Sequence, residues 1–140
     1  MLSIEPDLVV LAGFMRILTT QFTNAFAGKL INIHPSLLPE YPGLDTHKQA
    51  LENGDLMHGA TIHYVDEGLD SGPIIAQGAL KIDPSQSEAK LAQRIHKIEH
   101  ALLPKVIAEI AKELISLKGK EVKFKSKSYF GKNNMEFFNV

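Results

Sequence analysis

An almost uninterrupted apolar run, DLVVLA at residues 7–12, constrains the fold more than any other stretch of this sequence. A strand with one solvent-facing side alternates apolar and polar residues, whereas an unbroken run suits a strand covered on both faces, as in a parallel α/β sheet. Gly13 ends the run. The run therefore favours an α/β architecture with helices packed on the sheet.

Predicted strands and helices alternate along the rest of the chain, as expected for an α/β fold. After 7–12 the predicted elements are a helix at 19–28, a strand at 29–34, a helix at 46–53, strands at 58–67 and 73–82, a long helix and a strand at 121–125. The last strand is expected at a sheet edge, and residues 131–140 are expected to form a loosely held tail. Together, about 119–140 form a C-terminal strand and tail that contain several lysines.

Helix signals refine this outline. Thr46 is expected to cap the second helix, while Ser85 and Glu88 have capping-box spacing ahead of the long helix. In the long helix a stripe of apolar residues slips by one position near Pro104, which predicts a proline kink. The two parts of the stripe are Leu91, Ile95, Ile98 and Leu102, then Leu103, Ile107, Ile110 and Leu114.

Composition limits the functional classes. A length of 140 residues suits a single domain, 1–140, and a net charge of −1 gives no reason to expect nucleic acid or a membrane surface as partner. The chain has no cysteine, which excludes disulfides, thiol nucleophiles and thiolate metal sites. With no apolar run of membrane-spanning length and no visible signal peptide, a cytoplasmic protein is expected.

The segment NIHPS, residues 32–36, places an amide and an imidazole two positions apart. Residues two apart in a strand share a face, so Asn32 and His34 point to one side of the predicted sheet. Pro35 ends the strand behind them, at the carboxyl end where open α/β sheets bind ligands. Both a capped strand end with a satisfied histidine and a catalytic pair fit this pattern.

A second polar cluster, DEGLDSGP at residues 66–73, follows a predicted strand. A carboxylate flanked by glycines is commonly turn chemistry. The functional alternative is that Asp70 approaches His34, because a carboxylate beside an imidazole favours the imidazolium and fixes its orientation. Asn, His and Asp together would stabilise an oxyanion and handle a proton, which suits direct acyl transfer to an amine.

The other histidines give weaker signals. His58 and His63 lie five apart in a predicted strand, on opposite sides, so no metal site is expected there. His47 is either a cap or an anion contact. His96 and Glu99 lie one helical turn apart, as a solvated pair or as substrate contacts.

Four stretches together resemble the folate-dependent phosphoribosylglycinamide formyltransferases of purine biosynthesis. They are PDLVVLAGFMRIL, LINIHPSLLPEYPGLDTHKQALENGD, HGATIHYVDEGLDSGPIIAQ and RIHKIEHALLP, in order from Pro6 to Pro104. The resemblance implies a Rossmann-like sheet with flanking helices, of which this chain is the C-terminal portion. It also implies formyl transfer from 10-formyltetrahydrofolate to the amine of glycinamide ribonucleotide, without a metal.

The resemblance also implies residue roles. Asn32, His34 and Asp70 match the catalytic positions of the family. The matching folate positions are Met15, Arg16, Ile17, Leu18, Asn32, Asp66, Glu67, Gly68, Leu69 and Asp70. The matching ribonucleotide positions are Gly13, Ile33, Pro35, His96 and Glu99.

Members of the family begin with a strand and a Gly-rich phosphate loop, and this sequence has neither. We therefore expect a C-terminal fragment, a split-gene product or an internally initiated chain, whose apolar strand at 7–12 pairs with a copy of itself or with a separate N-terminal segment. Two relatives share the Asn–His–Asp pattern but fit less well: formyltetrahydrofolate deformylase, with water as acceptor, and methionyl-tRNA formyltransferase. A folate-binding remnant or assembly module without catalysis is the alternative of a different class.

Overall fold

The computed structural model describes residues 7–12 and 20–140, which form two sheets and three helices. The elements in chain order are β1 (Val9–Ala12), α1 (Thr20–Ala25), β2 (Leu30–His34), α2 (Thr46–Glu52), β3 (Met57–Tyr64), β4 (Ile74–Lys81), α3 (Glu88–Ala111), β5 (Ile115–Lys118), β6 (Glu121–Phe124) and β7 (Met135–Phe137). The main sheet has the order β1-β2-β3-β4-β7. Its outer pairs β1–β2 and β4–β7 are parallel, and its inner pairs are antiparallel. This mixed sheet with flanking helices confirms the predicted α/β architecture.

β2 shows how the sheet divides its two faces. Ile31 and Ile33 belong to the hydrophobic core with α3, whereas the buried polar residues Asn32 and His34 alternate with them and point to the other face. Directly opposite residues of antiparallel strands share a face. On β3 the partners of the two isoleucines are Tyr64 and Ile62, and those of the two polar residues are His63 and Thr61.

The long helix α3 supplies one continuous stripe to the core. Its buried residues are Leu91, Ile95, Ile98, Leu102, Val106 and Glu109. The predicted slip at Pro104 is therefore wrong: α3 continues through the proline, and Leu103, Ile107 and Ile110 are only partly buried at the side of the stripe. None of the helices in the described part of the chain is long and apolar enough to cross a membrane.

Two predicted helix caps are wrong by one or two positions. The N-cap of α2 is Asp45, and the Thr46 hydroxyl instead donates to the Pro35 carbonyl at 2.5 Å, which ties α2 to the end of β2. The N-cap of α3 is Ser87, whose hydroxyl accepts from the Lys90 N–H at 3.1 Å. Ser85 instead donates to Asp83 in the preceding turn. Ser, Thr and Asp are all good caps, so composition alone does not select among neighbours.

The C-terminal region is more ordered than the sequence predicts. β6 pairs with β5 in a separate two-stranded sheet, and β7 pairs with β4 along the main sheet, so the loosely held tail is wrong. The buried Glu109 carboxylate of α3 accepts from the Ser128 hydroxyl and from the Tyr129 N–H at 2.8 Å. A buried helix residue thus holds the segment between β6 and β7.

β1 lies at one end of the main sheet, and β2 is its sole strand neighbour among the described residues. The Val9 N–H donates to the Lys29 carbonyl at 2.7 Å, so the N–H of Val10 points away from β2. Val10 is 37% exposed. The most apolar strand of the sequence therefore presents an unpaired edge within the described part of the chain.

Candidate active site

The site is centred on His34, which is 1% exposed at the carboxyl end of β2. Its Nε2 lies 2.8 Å from the Tyr41 carbonyl oxygen in the following loop. A carbonyl only accepts hydrogen bonds, so Nε2 carries a proton whether the ring is neutral or charged. Nδ1 is therefore the unprotonated nitrogen of His34 when the ring is neutral.

Asp70 reaches that nitrogen from the loop between β3 and β4. Its Oδ2 lies 3.4 Å from His34 Nδ1 and accepts from the Gly43 N–H at 2.9 Å. Asp70 has φ 52, a left-handed conformation that is uncommon for a residue with a side chain and that recurs at functional sites. The expected approach of Asp70 to His34 is confirmed, while the chemical roles of the two residues stay predictions.

His63 is a third member of the cluster that the sequence did not single out. Its Nδ1 lies 2.9 Å from the Tyr64 carbonyl and therefore carries a proton, which leaves Nε2 facing Asp70 Oδ1 at 3.8 Å. Burial lowers the pKa of His63, against the raising effects of its backbone hydrogen bond and of Asp70. The feature that places His63 in the cluster is the register between β2 and β3, in which His63 pairs directly with Asn32.

Three polar atoms of this face are buried without a hydrogen-bond partner among the described residues. They are Asn32 Oδ1, His34 Nδ1 and His63 Nε2. Buried polar atoms are nearly always paired in folded proteins, because an unpaired one loses its hydration without compensation. Such a group around one carboxylate is suited to a polar ligand or water that supplies the missing partners.

A hydrogen-bonded scaffold positions the loop that follows β2. Thr61 on β3 donates to the Ser36 carbonyl at 2.7 Å and accepts from the Leu38 N–H at 3.1 Å. The Gln77 amide on β4 donates to the Leu38 carbonyl at 2.9 Å and to Thr61 at 3.0 Å. Between this loop and the loop that carries Asp70 lies a cavity of about 370 Å³ lined by Leu38, Pro39, Pro42, Leu69, Asp70, Ser71, Gly72 and Ile74.

The other predicted folate positions are only partly described. Asp66, Glu67 and Gly68 form the exposed tip of the loop before Asp70, where Asp66 Oδ1 accepts from the Gly68 N–H and from the Ser71 hydroxyl. Leu69 is half-buried and lines the cavity beside Asp70. The predicted site residues Gly13, Met15, Arg16, Ile17 and Leu18 lie outside the described residues.

The predicted ribonucleotide positions are spread over three places. The Ile33 side chain packs in the core, away from the polar face, and Pro35 lies half-buried at the start of the loop. His96 is exposed on α3 and Glu99 half-buried, with no hydrogen bond or ion pair to the Asp70 cluster within the described ranges. Burial raises the pKa of Glu99, although His96 and His100 lower it.

His47 and His58 form a separate pair near α3. His47 Nδ1 lies 3.0 Å from His58 Nε2. Burial, with a further contribution from His47, lowers the pKa of His58 to about 4, and burial and then His96 lower that of His47. Among the described residues, no group of three or more His, Cys, Asp or Glu side chains is placed to hold a metal ion.

Comparison with known proteins links this arrangement to one family. Residues 1–107 match the formyl transferase family model. The chain is 54% identical over 106 residues to the phosphoribosylglycinamide formyltransferase of Escherichia coli, covering 76% of this chain and 50% of that protein. The corresponding Bacillus subtilis protein is 50% identical over 106 residues, covering 76% and 54%. The chain thus spans about half the length of the curated relatives it matches.

Solved structures give the same result for the fold. The phosphoribosylglycinamide formyltransferase from Anaplasma phagocytophilum superimposes with a TM-score of 0.85 at 40% identity, covering 95% of this chain and 64% of that one. A formyltetrahydrofolate deformylase from Pseudomonas syringae gives 0.78 at 32% identity, covering 84% and 40%. The predicted Rossmann-like formyltransferase sheet is therefore confirmed, and the chain belongs to the formyl transferase family.

Proposed function

We propose that this chain carries the catalytic residues for transfer of a formyl group from 10-formyltetrahydrofolate to the amine of glycinamide ribonucleotide, in purine biosynthesis. The observation that carries the proposal is the buried cluster of His34, Asp70 and His63 beside Asn32, in which three polar atoms have no hydrogen-bond partner within the described residues. The names of the E. coli and B. subtilis relatives, about half of whose length the chain spans, support this choice of substrates.

In the proposed reaction the substrate amine attacks the formyl carbon, and the formyl oxygen becomes an oxyanion. The Asn32 amide and the protonated Nδ1 of His34 donate hydrogen bonds to that oxygen. The bond from the formyl carbon to the folate nitrogen then breaks. The amine loses a proton and the folate nitrogen gains one, with Asp70 as the carrier through water.

The cluster is arranged to keep this proton within reach. His34 Nδ1 and His63 Nε2 face the two oxygens of one carboxylate, at 3.4 and 3.8 Å. The backbone carbonyls of Tyr41 and Tyr64 fix the tautomer of each neutral ring. Asp70 therefore lies between the two rings, with one carboxylate oxygen facing each of them.

The substrate contacts of this proposal follow the family resemblance. Folate lies against Asn32 and the loop 66–70 together with residues 15–18, and the ribonucleotide lies near Gly13, Ile33, Pro35, His96 and Glu99. The chain works in the cytoplasm. Its exposed β1 edge pairs with a second copy or with a separate N-terminal segment that supplies phosphate binding.

The deciding experiment is a formyl-transfer assay with the chain alone and with the N-terminal half of a relative added in trans. Transfer in the mixture and not in either part supports the proposal. Formate release without ribonucleotide would favour the deformylase, the second candidate raised by the Pseudomonas syringae neighbour. Folate binding without transfer in the mixture would instead identify a binding remnant or assembly module.

A further inference from the structure

Tyr41 lies in the loop between β2 and α2, and this loop holds two members of the catalytic cluster at once. Its carbonyl oxygen accepts from His34 Nε2 at 2.8 Å, and two residues later the Gly43 N–H donates to Asp70 Oδ2 at 2.9 Å. The distance between His34 and Asp70 therefore depends on the conformation of residues 41–43.

That conformation is not one the backbone favours by itself. Tyr41 has φ 50, in the left-handed region where a β-carbon is strained. Such residues persist where the surrounding structure holds them. Within the loop, the Ser36 hydroxyl lies 2.6 Å from the Glu40 carbonyl and 3.2 Å from that of Tyr41, and a single hydroxyl proton does not bond both fully.

The side chain of Tyr41 provides further support, because it packs against the core and its hydroxyl is hydrogen-bonded. Its hydroxyl donates to Asp55 Oδ2 at 2.5 Å and accepts from the Asn53 amide at 2.8 Å. Asp55 is itself fixed in the turn after α2, where its N–H donates to the Ala50 carbonyl at 3.1 Å. The Asn53 bond lowers the phenol pKa of Tyr41, but the bond to Asp55, burial and nearby carboxylate charge raise it, so the phenol keeps its donor proton.

We propose that Tyr41 is a positioning residue, whose hydroxyl bond to Asp55 holds the loop so that its backbone fixes the tautomer of His34 and the placement of Asp70. Tyr41 touches no reacting atom in this role. The expected effect on kinetics rests on the proposed function, whereas the expected effect on the His34 tautomer does not.

The test compares Tyr41→Phe, which keeps the ring and removes the hydroxyl, with a matched control. In Tyr129→Phe the lost hydroxyl also bonds a carboxylate, Glu136 at 2.6 Å, but on the exposed C-terminal segment. Nitrogen-15 NMR of the histidine rings reports the His34 tautomer and the exchange rate of its Nε2–H. Exchange of that proton is expected to rise about tenfold in Tyr41→Phe, with loss of the single tautomer, and to be unchanged in Tyr129→Phe.

Kinetics provide the second readout if the complemented chain transfers formyl groups. Tyr41→Phe is expected to lower kcat about tenfold with KM within twofold, and Asp55→Asn to add little further in the double variant. An unchanged His34 signal in Tyr41→Phe would overturn the inference even if transfer is normal. A chain inactive in every form, with the NMR change present, would refute the proposed function and leave the positioning role standing.

Discussion

At the scale of single residues, Asp70→Asn keeps the shape of a side chain that is only 2% exposed but removes its charge. His34→Ala removes a donor from the proposed oxyanion site. Loss of one preorganised donor typically lowers turnover ~10²–10³-fold. Asp70→Asn removes the proposed proton carrier, which typically contributes ~10²–10⁴-fold. Each change is therefore expected to abolish most formyl transfer in the complemented assay, with the circular dichroism spectrum retained.

Asp83→Asn, in an exposed turn before α3, serves as the control for that experiment. It removes the same charge far from the cluster and is expected to leave turnover unchanged. Near-normal turnover in His34→Ala or Asp70→Asn would contradict the assignment of the catalytic residues.

His58 gives a prediction about pH. Its pKa of about 4, chiefly from burial and then from His47, lies below the ordinary value of 6.5, so the unfolded chain binds the proton first as pH falls. The corresponding stability is complete above pH 6.5 and is lost between 6.5 and about 4, by about 3 kcal/mol in total. Urea unfolding at several pH values measures this slope.

His58→Gln separates that contribution from others. Replacing the buried His58 is expected to reduce the pH slope by one proton, or about 1.4 kcal/mol per pH unit. An equal slope in the parent chain and in His58→Gln would assign the acid sensitivity elsewhere.

The sequence was sufficient to predict those site residues whose orientation depends only on local strand geometry. Asn32 and His34 share a face because a strand has a period of two, and that required no partner strand. His63 was missed because its place opposite Asn32 depends on the register between β2 and β3, and a slip of one residue would turn it to the other face. Tyr41 was missed because its backbone, not its side chain, contacts His34.

At the scale of elements, β7 adds a strand to the main sheet, and the residue that follows it, Phe138, anchors it to the core. The Phe138 ring reaches the core, where a β-carbon built on Gly78 would lie 2.9 Å from it, whereas Phe137 is 72% exposed. Phe138→Ala is therefore expected to lower the free energy of unfolding by about 2 kcal/mol, less than a fully buried ring. Phe137→Ala, the neighbouring control, should change it by less than about 0.5 kcal/mol in the same urea titration. Equal effects would mean that β7 contributes through its backbone alone.

Elements with strong periodicity were predictable and those set by tertiary contacts were not. α3 and the strands β2, β3 and β4 follow from their own patterns. β7 has three residues and no pattern of its own, so its strand depends on β4 and on Phe138. The stripe of α3 was misread because Glu109 occupies a core position, where Ser128 and Tyr129 satisfy its carboxylate.

At the scale of the whole molecule, the two faces of the main sheet have different roles: one forms the core and the other carries the proposed site residues. One face packs on α3 through apolar residues of β2, β3 and β4, and the other carries Asn32, His34 and His63. Because these residues alternate along the same strands, core packing also fixes the positions of the site residues. In the described ranges the sheet ends at β1 on one side and at β7 on the other, and β1 is the more apolar of these two edges.

The outer edge of β1 is expected to mediate association between copies of the chain. Because the Val10 N–H points away from β2, Val10→Pro removes an outward donor and leaves the β1–β2 ladder intact. The parent chain is expected to sediment as an assembly at micromolar concentration, and Val10→Pro as a monomer. Phe137→Pro is the matched control on β7. The N–H of Phe138 donates to the Ala79 carbonyl, so the N–H of Phe137 points outward, and this variant should associate like the parent. A stable, monodisperse monomer of the parent chain would count against self-association at β1, and equal association of both proline variants would place the contact elsewhere.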